Sequence, residues 1–375
     1  MILAFCLYKY FLFGGLQRDF IKIAYESYRR GIRIRVYTLS WQGDVPDYIE
    51  LVLVPVTAWQ NHTRYRKYSA WVSTHLEKNQ VDSVIGFNKM PHLDIYYAAD
   101  PCYMAKIDME RQWIYPYLRR THHLLHYENS VFSTKAKTHI LSISQAQKKL
   151  FQHYYKTPDH RWHDLPPSIS QDRQRPVNAN ELRALCRQTF DITSDDILLL
   201  MVGSGFKTKG VDRSLFALAA LPKKLKQRTR LIIIGQDNPK PFIKLIKKLA
   251  LESNVTILSG REDIVSFLLG ADLLLHPAYR ENTGTILLEA IVAGLPILAS
   301  DVCGYAHLVV DAQAGELIQS PFSQNAFNRQ LLNCIMNINQ RKQWSNNALA
   351  FGEQKDIFNK QEQIVDTILA IINSA

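Results

Sequence analysis

Short apolar runs rich in β-branched and aliphatic residues alternate along this chain with longer stretches of helical hydrophobic spacing. This alternation is typical of parallel β-α-β units, in which a helix carries the chain back between neighbouring strands. The series occurs twice, with strand-like runs at 2–7, 34–38, 51–54, 83–87 and 140–143, and then at 197–202, 231–234, 255–258, 273–276 and 296–299. The pattern predicts an α/β fold class with two doubly wound parallel sheets of Rossmann-like type.

The chain of 375 residues is longer than one hydrophobic core usually organises, which favours two domains. Between the two series, the stretch 159–177 contains three prolines, whose fixed φ angles and missing amide donors suit a linker. The predicted division is an N-terminal domain over 1–165, a C-terminal domain over 166–355, and a last helix over 356–375 that can cross back to the first domain in folds of this type.

The formal net charge of +11 predicts an acidic partner, which could be nucleic acid, anionic lipid or a phosphorylated substrate. Most of the excess lies in the first half, where residues 1–170 hold 22 Lys and Arg against 14 Asp and Glu, while residues 171–375 hold 23 against 20. The chain has no long basic run and no basic stripe interleaved with aromatic residues on a predicted strand. We therefore expect an acidic substrate or lipid, and no nucleic acid.

The five cysteines are an odd number, widely spaced and without a C-x-x-C pair, which fits a reducing cytoplasm and predicts no metal or redox site. The first eight residues are apolar, but no basic segment precedes them and Lys9 ends the run, unlike a signal peptide. No apolar stretch approaches the roughly 18 to 20 residues of a membrane span. We therefore expect a cytoplasmic protein with peripheral membrane contact.

Two glycine-containing loops follow strand-like runs, where backbone amides can approach a phosphate. Gly15 is the second of two glycines that open the first helix, with Asp19 just inside it, and the alternative is an ordinary glycine turn. The loop 202–212 includes Lys207 and Lys209 outside the carboxyl end of a strand, where doubly wound sheets bind ligands. A lysine there can neutralise a diphosphate, although two surface lysines would give the same pattern.

The most specific stretch is 271–296, in which a buried strand ends, a loop presents Glu281, and Gly284 opens a helix that carries Glu289. Loop amides at that helix N-terminus can face a diphosphate, and the two carboxylates can accept hydrogen bonds from sugar hydroxyls. Two glutamates at this spacing also occur on solvated helix faces, so the surrounding pattern decides between the two interpretations.

At these residues the chain resembles glycosyltransferase family 4, whose retaining enzymes have the GT-B fold and an E-x7-E motif that Glu281 and Glu289 match. Within that family the similarity is strongest to glucosyltransferases of the lipopolysaccharide core. It extends over nearly the whole chain, through the segments 5–10, 14–20, 86–91, 98–100, 209–214 and 302–307. The resemblance implies two Rossmann-like domains that face a central cleft and close over a UDP-sugar.

The resemblance also implies roles for individual residues. Glu289 would hold the ribose hydroxyls of the donor, Glu281 would meet the hexose hydroxyls, and Lys209 would neutralise the diphosphate. Backbone groups would contact the diphosphate from Asn282, Thr283, Gly284 and Thr285. The other implied donor contacts are Arg261 near the uracil, and Gly15 and Arg173 from the facing side of the cleft.

Five positions depart from the pattern of the family, one of them Ser168, which replaces the glycine of the usual P-P-G in the linker. Ser204 stands where many members have an arginine after the strand glycine, and Thr208 where close relatives tend to have one before the lysine. Lys207 is then the candidate to supply the missing cation. Asn282 and Thr283 replace smaller residues, which leaves the choice among UDP-hexoses open.

Breaking a glycosyl diphosphate bond develops charge on the leaving oxygens, so positive potential around UDP is the main requirement. The chain has no D-x-D motif, the nearest approach being 108–110, and we expect neither a catalytic metal nor a cofactor. Retention can come from a covalent carboxylate intermediate or from same-face attack, and the resemblance favours the second. Asp19 and Asp100 are candidate acceptor-binding residues, and Asp100 is also a candidate base, although a carboxylate after a strand-like run is often a helix cap.

Residues 103–132 are the candidate contact with an anionic membrane surface. Apolar residues recur at helical spacing over 114–132, while arginines and histidines gather largely off that stripe. Trp113 and Tyr127 are aromatic residues of the kind that settle at headgroup depth. The alternative of equal weight is that the stripe packs into the protein core.

The resemblance therefore implies a peripheral enzyme on the cytoplasmic face of the inner membrane, which moves glucose from UDP-glucose to a heptose of the lipopolysaccharide inner core with retention. One alternative keeps the fold and uses another UDP-hexose or another lipid-linked acceptor. Alternatives of other classes are a non-catalytic sugar-nucleotide-binding scaffold and a nucleic-acid-binding protein. The intact set of Lys209, Glu281 and Glu289 speaks against the scaffold, because folding alone does not require these residues.

Overall fold

A computed structural model describes residues 1–12, 14–110, 118–354, 357–358 and 361–374. The chain divides into two compact units. Unit 1 consists of Met1–Pro166 together with Lys360–Ala375, and unit 2 is the continuous stretch Pro167–Asn359. The chain therefore leaves unit 1 between two prolines and returns to it near its last residues.

Unit 1 contains a seven-stranded sheet in which all neighbouring strands are parallel. Its strands are β1 (Ile2–Cys6), β2 (Arg33–Thr38), β3 (Ile49–Leu53), β4 (Ser83–Gly86), β5 (Ile95–Tyr97), β6 (His139–Ser142) and β7 (Trp162–Asp164). The order across the sheet is β3-β2-β1-β4-β5-β6-β7. The chain winds outward in both directions from β1 and β4, so the switch point of this doubly wound sheet lies between them.

Helices bury the apolar residues on both faces of this sheet. The first five are α1 (Gly15–Arg29), α2 (Asn61–Lys78), α3 (Tyr103–Glu110), α4 (Arg119–Phe132) and α5 (Gln145–Tyr155). Phe20 of α1 packs in the cluster on one face, and Tyr68 of α2 and Phe132 of α4 pack in the cluster on the other. All three side chains are fully buried, as expected for helices that lay one apolar stripe on a sheet.

Unit 2 contains a six-stranded sheet that is also parallel throughout. Its strands are β8 (Ile197–Val202), β9 (Thr229–Ile234), β10 (Val255–Leu258), β11 (Leu273–His276), β12 (Ile297–Ser300) and β13 (Gly315–Ile318). The order is β10-β9-β8-β11-β12-β13, which repeats the winding of unit 1 and puts the switch point between β8 and β11.

The helices of unit 2 are α6 (Ala179–Thr189), α7 (Val211–Ala219), α8 (Lys223–Gln227), α9 (Lys240–Lys248), α10 (Ile264–Gly270), α11 (Thr285–Ala293), α12 (Ala306–Asp311), α13 (Gln324–Met336) and α14 (Ile338–Gln354). Helix α11 is buried on all sides from Ile286 to its end, because every residue there except Glu289 is apolar. A carboxylate in that environment needs polar partners, which marks this helix as a candidate functional element.

The last helix, α15 (Gln361–Ser374), returns to unit 1 and packs against α1. Ile364, Ile368 and Ile371 recur at helical spacing and join the same apolar cluster as Phe20. Arg30, just after α1, donates from Nη1 to a carboxylate oxygen of α15 at 2.5 Å. This helix thus completes the core of unit 1.

The predicted fold class is confirmed, and most predicted strands agree with the observed ones to within two residues. The strand-like run 95–99 before Asp100 contains β5. The prediction missed β7 and β13. Strand β7 has only three residues, too few for alternation to be recognised, and β13 begins with glycine, which strands usually avoid. Strand β7 lies inside the stretch predicted as a linker, so that prediction was wrong for its first part.

The predicted membrane segment divides between described and undescribed residues. Residues 111–117, including Trp113, lie outside the described part of the chain. Helix α4 begins at Arg119, and Tyr127 and Phe132 are buried in the core, so the prediction that Tyr127 lies at headgroup depth was wrong. The apolar stripe of α4 is a core face over its last two turns. Among the helices that the structure describes, none is long and apolar enough to cross a membrane.

Candidate active site

The switch point of unit 2 brings together the loops that follow β8 and β11. These strands are neighbours from which the chain departs in opposite directions, and open α/β sheets bind ligands outside the carboxyl ends of such strands. The β8 loop, residues 203–210, leads into α7, and the β11 loop, residues 277–284, leads into α11. These two loops contain Lys209 and Glu281.

The β8 loop is fixed by contacts with both the sheet and the β11 loop. Phe206 is buried, and its backbone N–H donates to Asp237 Oδ2 at 2.7 Å. Gly210 has a φ of +76°, and a Cβ at that position would lie 2.0 Å from the carbonyl oxygen of Pro277. Only glycine permits both the left-handed conformation and this close approach. Lys207 is exposed on this loop.

Arg213 on α7 holds the β11 loop from the other side. Its guanidinium lies 3.6 Å from the ring centroids of both Tyr279 and Phe322. Nη1 donates to the carbonyl oxygens of Pro277 and Ala278 at 3.0 and 3.1 Å. A planar guanidinium can stack on rings while donating in its own plane, so this one residue fixes the start of the β11 loop against α7.

Lys209, His276 and Glu281 form one cluster at this end of the sheet. Lys209 Nζ donates to Glu281 Oε2, and His276 Nε2 lies 3.1 Å from the same oxygen. The N–H of Asn282 donates to Glu281 Oε1 at 3.2 Å. The side chains of Lys209, Glu281 and His276 are only 20%, 11% and 1% exposed, so both oxygens of a nearly buried carboxylate have protein donors.

Burial sets the charges in this cluster. It lowers the pKa of Lys209 to about 8, and it lowers the pKa of His276 to about 3, with the Lys209 charge as a further cause. His276 is therefore neutral near pH 7. Because a carboxylate can only accept, the imidazole must carry its proton on Nε2 to bond Glu281. Lys209 remains mostly protonated at pH 7, but it loses its proton within reach of mildly alkaline solution.

The N-terminus of α11 adds positive potential beside this cluster. Gly284 caps the helix with a φ of +79°, and the residues predicted to meet the diphosphate, 282–285, lead into the first turn. Thr283 O accepts a hydrogen bond from Tyr305 N at 2.7 Å, which fixes the loop. Glu289, in the second turn of α11, is 3% exposed. Amides and dipole at a helix N-terminus favour an anion here.

Two arginines predicted to contact the donor lie in unit 2. Arg173 was predicted to do so from the facing side of the cleft, but it belongs to the same unit as Lys209 and Glu281, so that part of the prediction was wrong. It is buried in a short turn before α6, and its Nη1 donates to Glu262 O at 3.4 Å. Arg261 makes two 2.7 Å hydrogen bonds to Asp263, which raises the pKa of its guanidinium. The side chain of Arg261 is 40% exposed, so it lies at the surface with its planar group held in one orientation.

The remaining predicted residues lie in unit 1. Gly15 is exposed at the start of α1, and a Cβ there would meet no atom within 4 Å, so packing does not require glycine at this position. Asp19, one turn later, accepts a hydrogen bond from Tyr97 OH at 2.9 Å. The carboxyl end of β1 lies at the switch point of this sheet, where Gly15 and Asp19 follow it.

Asp100 follows β5 and accepts a hydrogen bond from Tyr96 OH at 3.2 Å. The alternative, that Asp100 caps the next helix, is wrong. Glu128, fully buried on α4, accepts from the backbone N–H groups of Tyr103 and Met104 at the start of α3. The same carboxylate bonds Lys89 Nζ at 2.7 Å. Because Glu128 caps α3, the carboxylate of Asp100 is not needed for that contact.

The sequence did not identify His276 or Arg213 as site residues. His276 was visible as the polar last residue of a buried strand, directly before Pro277, and that position is a usable signal. Arg213 had no local signal, because its partners Tyr279 and Phe322 are distant in sequence. Among the described side chains, no group of three or more His, Cys, Asp or Glu is placed to hold a metal ion.

Comparison with known proteins agrees with this geometry. Residues 184–351 match the family Glycosyl transferases group 1. The chain is 45% identical over 368 residues to the lipopolysaccharide glucosyltransferase WaaG of Escherichia coli K12, covering 98% of each protein. A crystal structure of WaaG, described as a glycosyltransferase involved in lipopolysaccharide biosynthesis, superposes with a TM-score of 0.94 at 45% identity and covers 98% of this chain and 99% of the other.

A more distant structure shares the fold alone. Anabaena Alr3699/HepE, solved in complex with UDP and glucose, is 18% identical with a TM-score of 0.73, and 99% of each chain is covered. The identity and coverage of the WaaG comparison, by contrast, extend through both units. The chain therefore belongs to the WaaG family of GT-B glycosyltransferases.

Proposed function

We propose that this enzyme transfers glucose from UDP-glucose to a heptose of the lipopolysaccharide inner core, with retention of configuration. The observation that carries the proposal is the Lys209–Glu281 contact at the switch point of the unit 2 sheet. It occurs in a chain that is 45% identical to a lipopolysaccharide glucosyltransferase. A buried cation and a buried carboxylate side by side match what a glycosyl diphosphate presents: a charged leaving group joined to a sugar rich in hydroxyls.

The donor binds through unit 2 in this proposal. Lys209 and the N-terminus of α11 neutralise the diphosphate, which the backbone of 282–285 contacts. Glu289 accepts hydrogen bonds from the ribose hydroxyls. Arg261, held flat by Asp263, lies against the uracil. Arg173 and Gly15 complete the contacts of the donor.

Glu281 orients the hexose and does not attack it. Its Oε2 accepts from both Lys209 and His276, and its Oε1 accepts from the N–H of Asn282. Three donors stabilise negative charge on these oxygens and lower their nucleophilicity, whereas the same arrangement fixes an acceptor for a sugar hydroxyl. Same-face attack follows, in which the acceptor oxygen bonds to the anomeric carbon, the bond to the diphosphate breaks, and the leaving phosphate takes the acceptor proton.

Asp100 and Asp19 bind the acceptor in this scheme. Asp100 keeps one hydrogen bond, from Tyr96, and does not cap α3, so its carboxylate can receive a heptose hydroxyl. Asp19 is oriented by Tyr97 OH. No divalent metal takes part, because Lys209 and the α11 N-terminus supply the positive charge that a metal would bring.

We further propose that the enzyme acts at the cytoplasmic face of the inner membrane and attaches peripherally through residues 103–132. Support comes from the basic excess of the first half of the chain and from the exposed Leu118, Arg119 and Arg120 at the start of α4. Flotation with vesicles that contain anionic or only neutral lipids tests this attachment. Equal binding to both kinds of vesicle would contradict it.

The test of the reaction is a donor-depletion assay with EDTA present. Purified enzyme, truncated lipopolysaccharide that ends in inner-core heptose, and UDP-glucose, UDP-galactose or UDP-N-acetylglucosamine are incubated in parallel while UDP release is followed. We expect release with UDP-glucose only when acceptor is present, and none from Glu281→Gln, which keeps the shape of the side chain. The matched control is Glu252→Gln, an exposed glutamate of the same unit, which should turn over like the wild type.

The outcomes separate the alternatives. Release with another donor would keep the reaction class and change the hexose. Binding of UDP-glucose without release on any heptose-ended acceptor would favour the non-catalytic scaffold. Loss of activity in EDTA that Mg²⁺ restores would contradict the metal-independent mechanism.

A further inference from the structure

A cavity in unit 1 lies between α2, α4 and the segment after β4, and has a volume of about 680 Å³. None of the residues assigned above to the donor or the acceptor lines it. Helix α4 contributes four basic side chains, Arg119, His122, His123 and His126. Their spacing of three, four and seven residues puts all four on one face of the helix.

The opposite wall is also basic. Helix α2 contributes His62 and Arg66, one turn apart, and the segment after β4 contributes His92. The cavity therefore has seven groups that are cationic or can become so. In the described part of the chain, no aspartate or glutamate lines it. Like charges facing one another without a counter-charge are unfavourable, so this wall composition is unusual unless an anion enters the cavity.

His123 is one of the less exposed basic groups of the cavity. Its Nε2 is buried and has no hydrogen-bond partner among the residues that the structure describes, although buried polar atoms almost always have one. Burial, together with the charges of His62, His126 and Arg66, lowers the pKa of His123 to about 4. The centroid of the His123 ring lies 4.0 Å from the ring centroid of Tyr127 and 6.1 Å from that of His62. In the tautomer that carries its proton on Nε2, this ring offers the cavity a donor for which no described residue is an acceptor.

The cavity is larger than a bare anion needs. Its volume lies within the range of roughly 300 to 1,000 Å³ that small-molecule sites occupy. Uncharged hydrogen-bonding groups also line the α2 wall, namely Gln60, Thr63, Ser69 and Ser73. Hydroxyl and amide groups of this kind can bond the hydroxyls of a sugar.

We propose that this cavity is a binding site for a phosphorylated saccharide, with the phosphate held by the arginines and histidines and the sugar by the polar side chains of the α2 wall. The phosphate oxygens accept from the Nε2 of His123 and from Arg66 and Arg119. The site is separate from the UDP-sugar site in unit 2, and it does not depend on which sugar the enzyme transfers.

The test is isothermal titration calorimetry on the full chain with glucose 6-phosphate, glucose and inorganic phosphate as separate probes. The variant is Arg66→Gln with Arg119→Gln, two exposed arginines of the cavity whose removal leaves the core intact. The matched control is Arg33→Gln, an exposed arginine elsewhere in unit 1. UDP binding is measured on all proteins as a check of folding.

We expect glucose 6-phosphate to bind the wild type and the control equally, and the double variant about tenfold or more weakly, because charge-assisted hydrogen bonds are lost. Glucose should not bind, and inorganic phosphate should bind more weakly than the sugar phosphate. Unchanged affinity in the double variant, or no binding of glucose 6-phosphate to the wild type, would overturn the proposal. Equal affinities of the wild type for inorganic phosphate and glucose 6-phosphate would overturn the claim that the site recognises a saccharide.

Proton NMR of the histidine rings gives a second readout. In the free protein the His123 ring should titrate near the lowered pKa of about 4. A bound phosphate stabilises the protonated ring, so glucose 6-phosphate should raise this pKa, whereas glucose should not. A His123 pKa that stays the same with saturating sugar phosphate would show that the anion binds elsewhere.

Discussion

Replacing Lys209 by methionine should weaken binding of UDP-glucose without disturbing the β8 loop. The loop is held by backbone contacts, including Phe206 N to Asp237, and by the close approach of Gly210 to Pro277, none of which uses the Lys209 side chain. Methionine keeps the length of the aliphatic stem but removes the ammonium. The change therefore removes the charge, and with it one of the three donors to Glu281, while the loop stays in place.

The size of the effect follows from the burial of this lysine. A hydrogen bond between charged groups contributes about 1.5 to 3 kcal/mol, which corresponds to a loss of about ten- to a hundredfold in affinity. Because the pKa of Lys209 is lowered to about 8, the free enzyme carries this proton at pH 7 and loses it as the pH rises through 8. Affinity should then fall by up to about tenfold between pH 7 and 9, since the unprotonated lysine no longer neutralises the diphosphate.

The assay is calorimetric titration with UDP-glucose, whose diphosphate charge is constant over this range. Lys209→Arg should bind with little pH dependence, because a guanidinium stays protonated. Lys207→Met, a matched change at an exposed lysine of the same loop, should have a smaller effect than Lys209→Met. Equal affinities for Lys209→Met and wild type, or the same decline with pH in Lys209→Arg, would refute the argument and move the diphosphate away from Lys209.

Three further predictions concern neighbouring residues. Glu289→Gln should raise KM for UDP-glucose about tenfold with little change in kcat, because it removes a charged acceptor for the donor; a change in kcat alone would contradict this. Folding keeps His276 neutral, with its pKa lowered to about 3, so its stabilising contribution is present above pH 6.5 and is lost as the pH falls towards 3. In wild type the free energy of unfolding in urea should therefore be lower at pH 5 than at pH 7, and in His276→Asn this decrease should be smaller by about 2 kcal/mol. Arg213→Gln should lower kcat/KM while far-ultraviolet circular dichroism stays unchanged, since the β11 loop loses its anchor; wild-type kinetics would show that the loop is fixed without it.

The sequence identified those candidate site residues that lie close together in the chain or directly after a predicted strand. Glu281 and Glu289 lie in one short stretch, and Lys209 follows a strand that the alternation of apolar residues already predicts, so local pattern sufficed. Arg213 could not be found in this way, because it acts on rings that come from two other loops. Asp100 was ambiguous for a related reason: the residue that caps α3 instead, Glu128, comes from a different helix.

The same distinction holds for the fold. Buried parallel strands such as β8 and β11 are continuous apolar runs, and their predicted bounds agree with the structure. The two missed strands, β7 and β13, are short, and their pairing depends on neighbours already in place. Tyr127 shows the limit for helices, because an aromatic residue on a basic amphipathic helix fits a membrane surface and a protein core equally well until its neighbours are known.

The return of α15 to unit 1 has a consequence for the order in which the enzyme matures on the ribosome. Domains generally fold as they emerge, the N-terminal one first. Here unit 1 begins first but lacks the isoleucines of α15 until the last residues are made, whereas unit 2 is one continuous segment that is complete earlier. The part of the enzyme that starts first therefore finishes last. A nascent chain stalled just before Gln361 should hold a folded unit 2 beside a unit 1 whose α1 face is still open to chaperones.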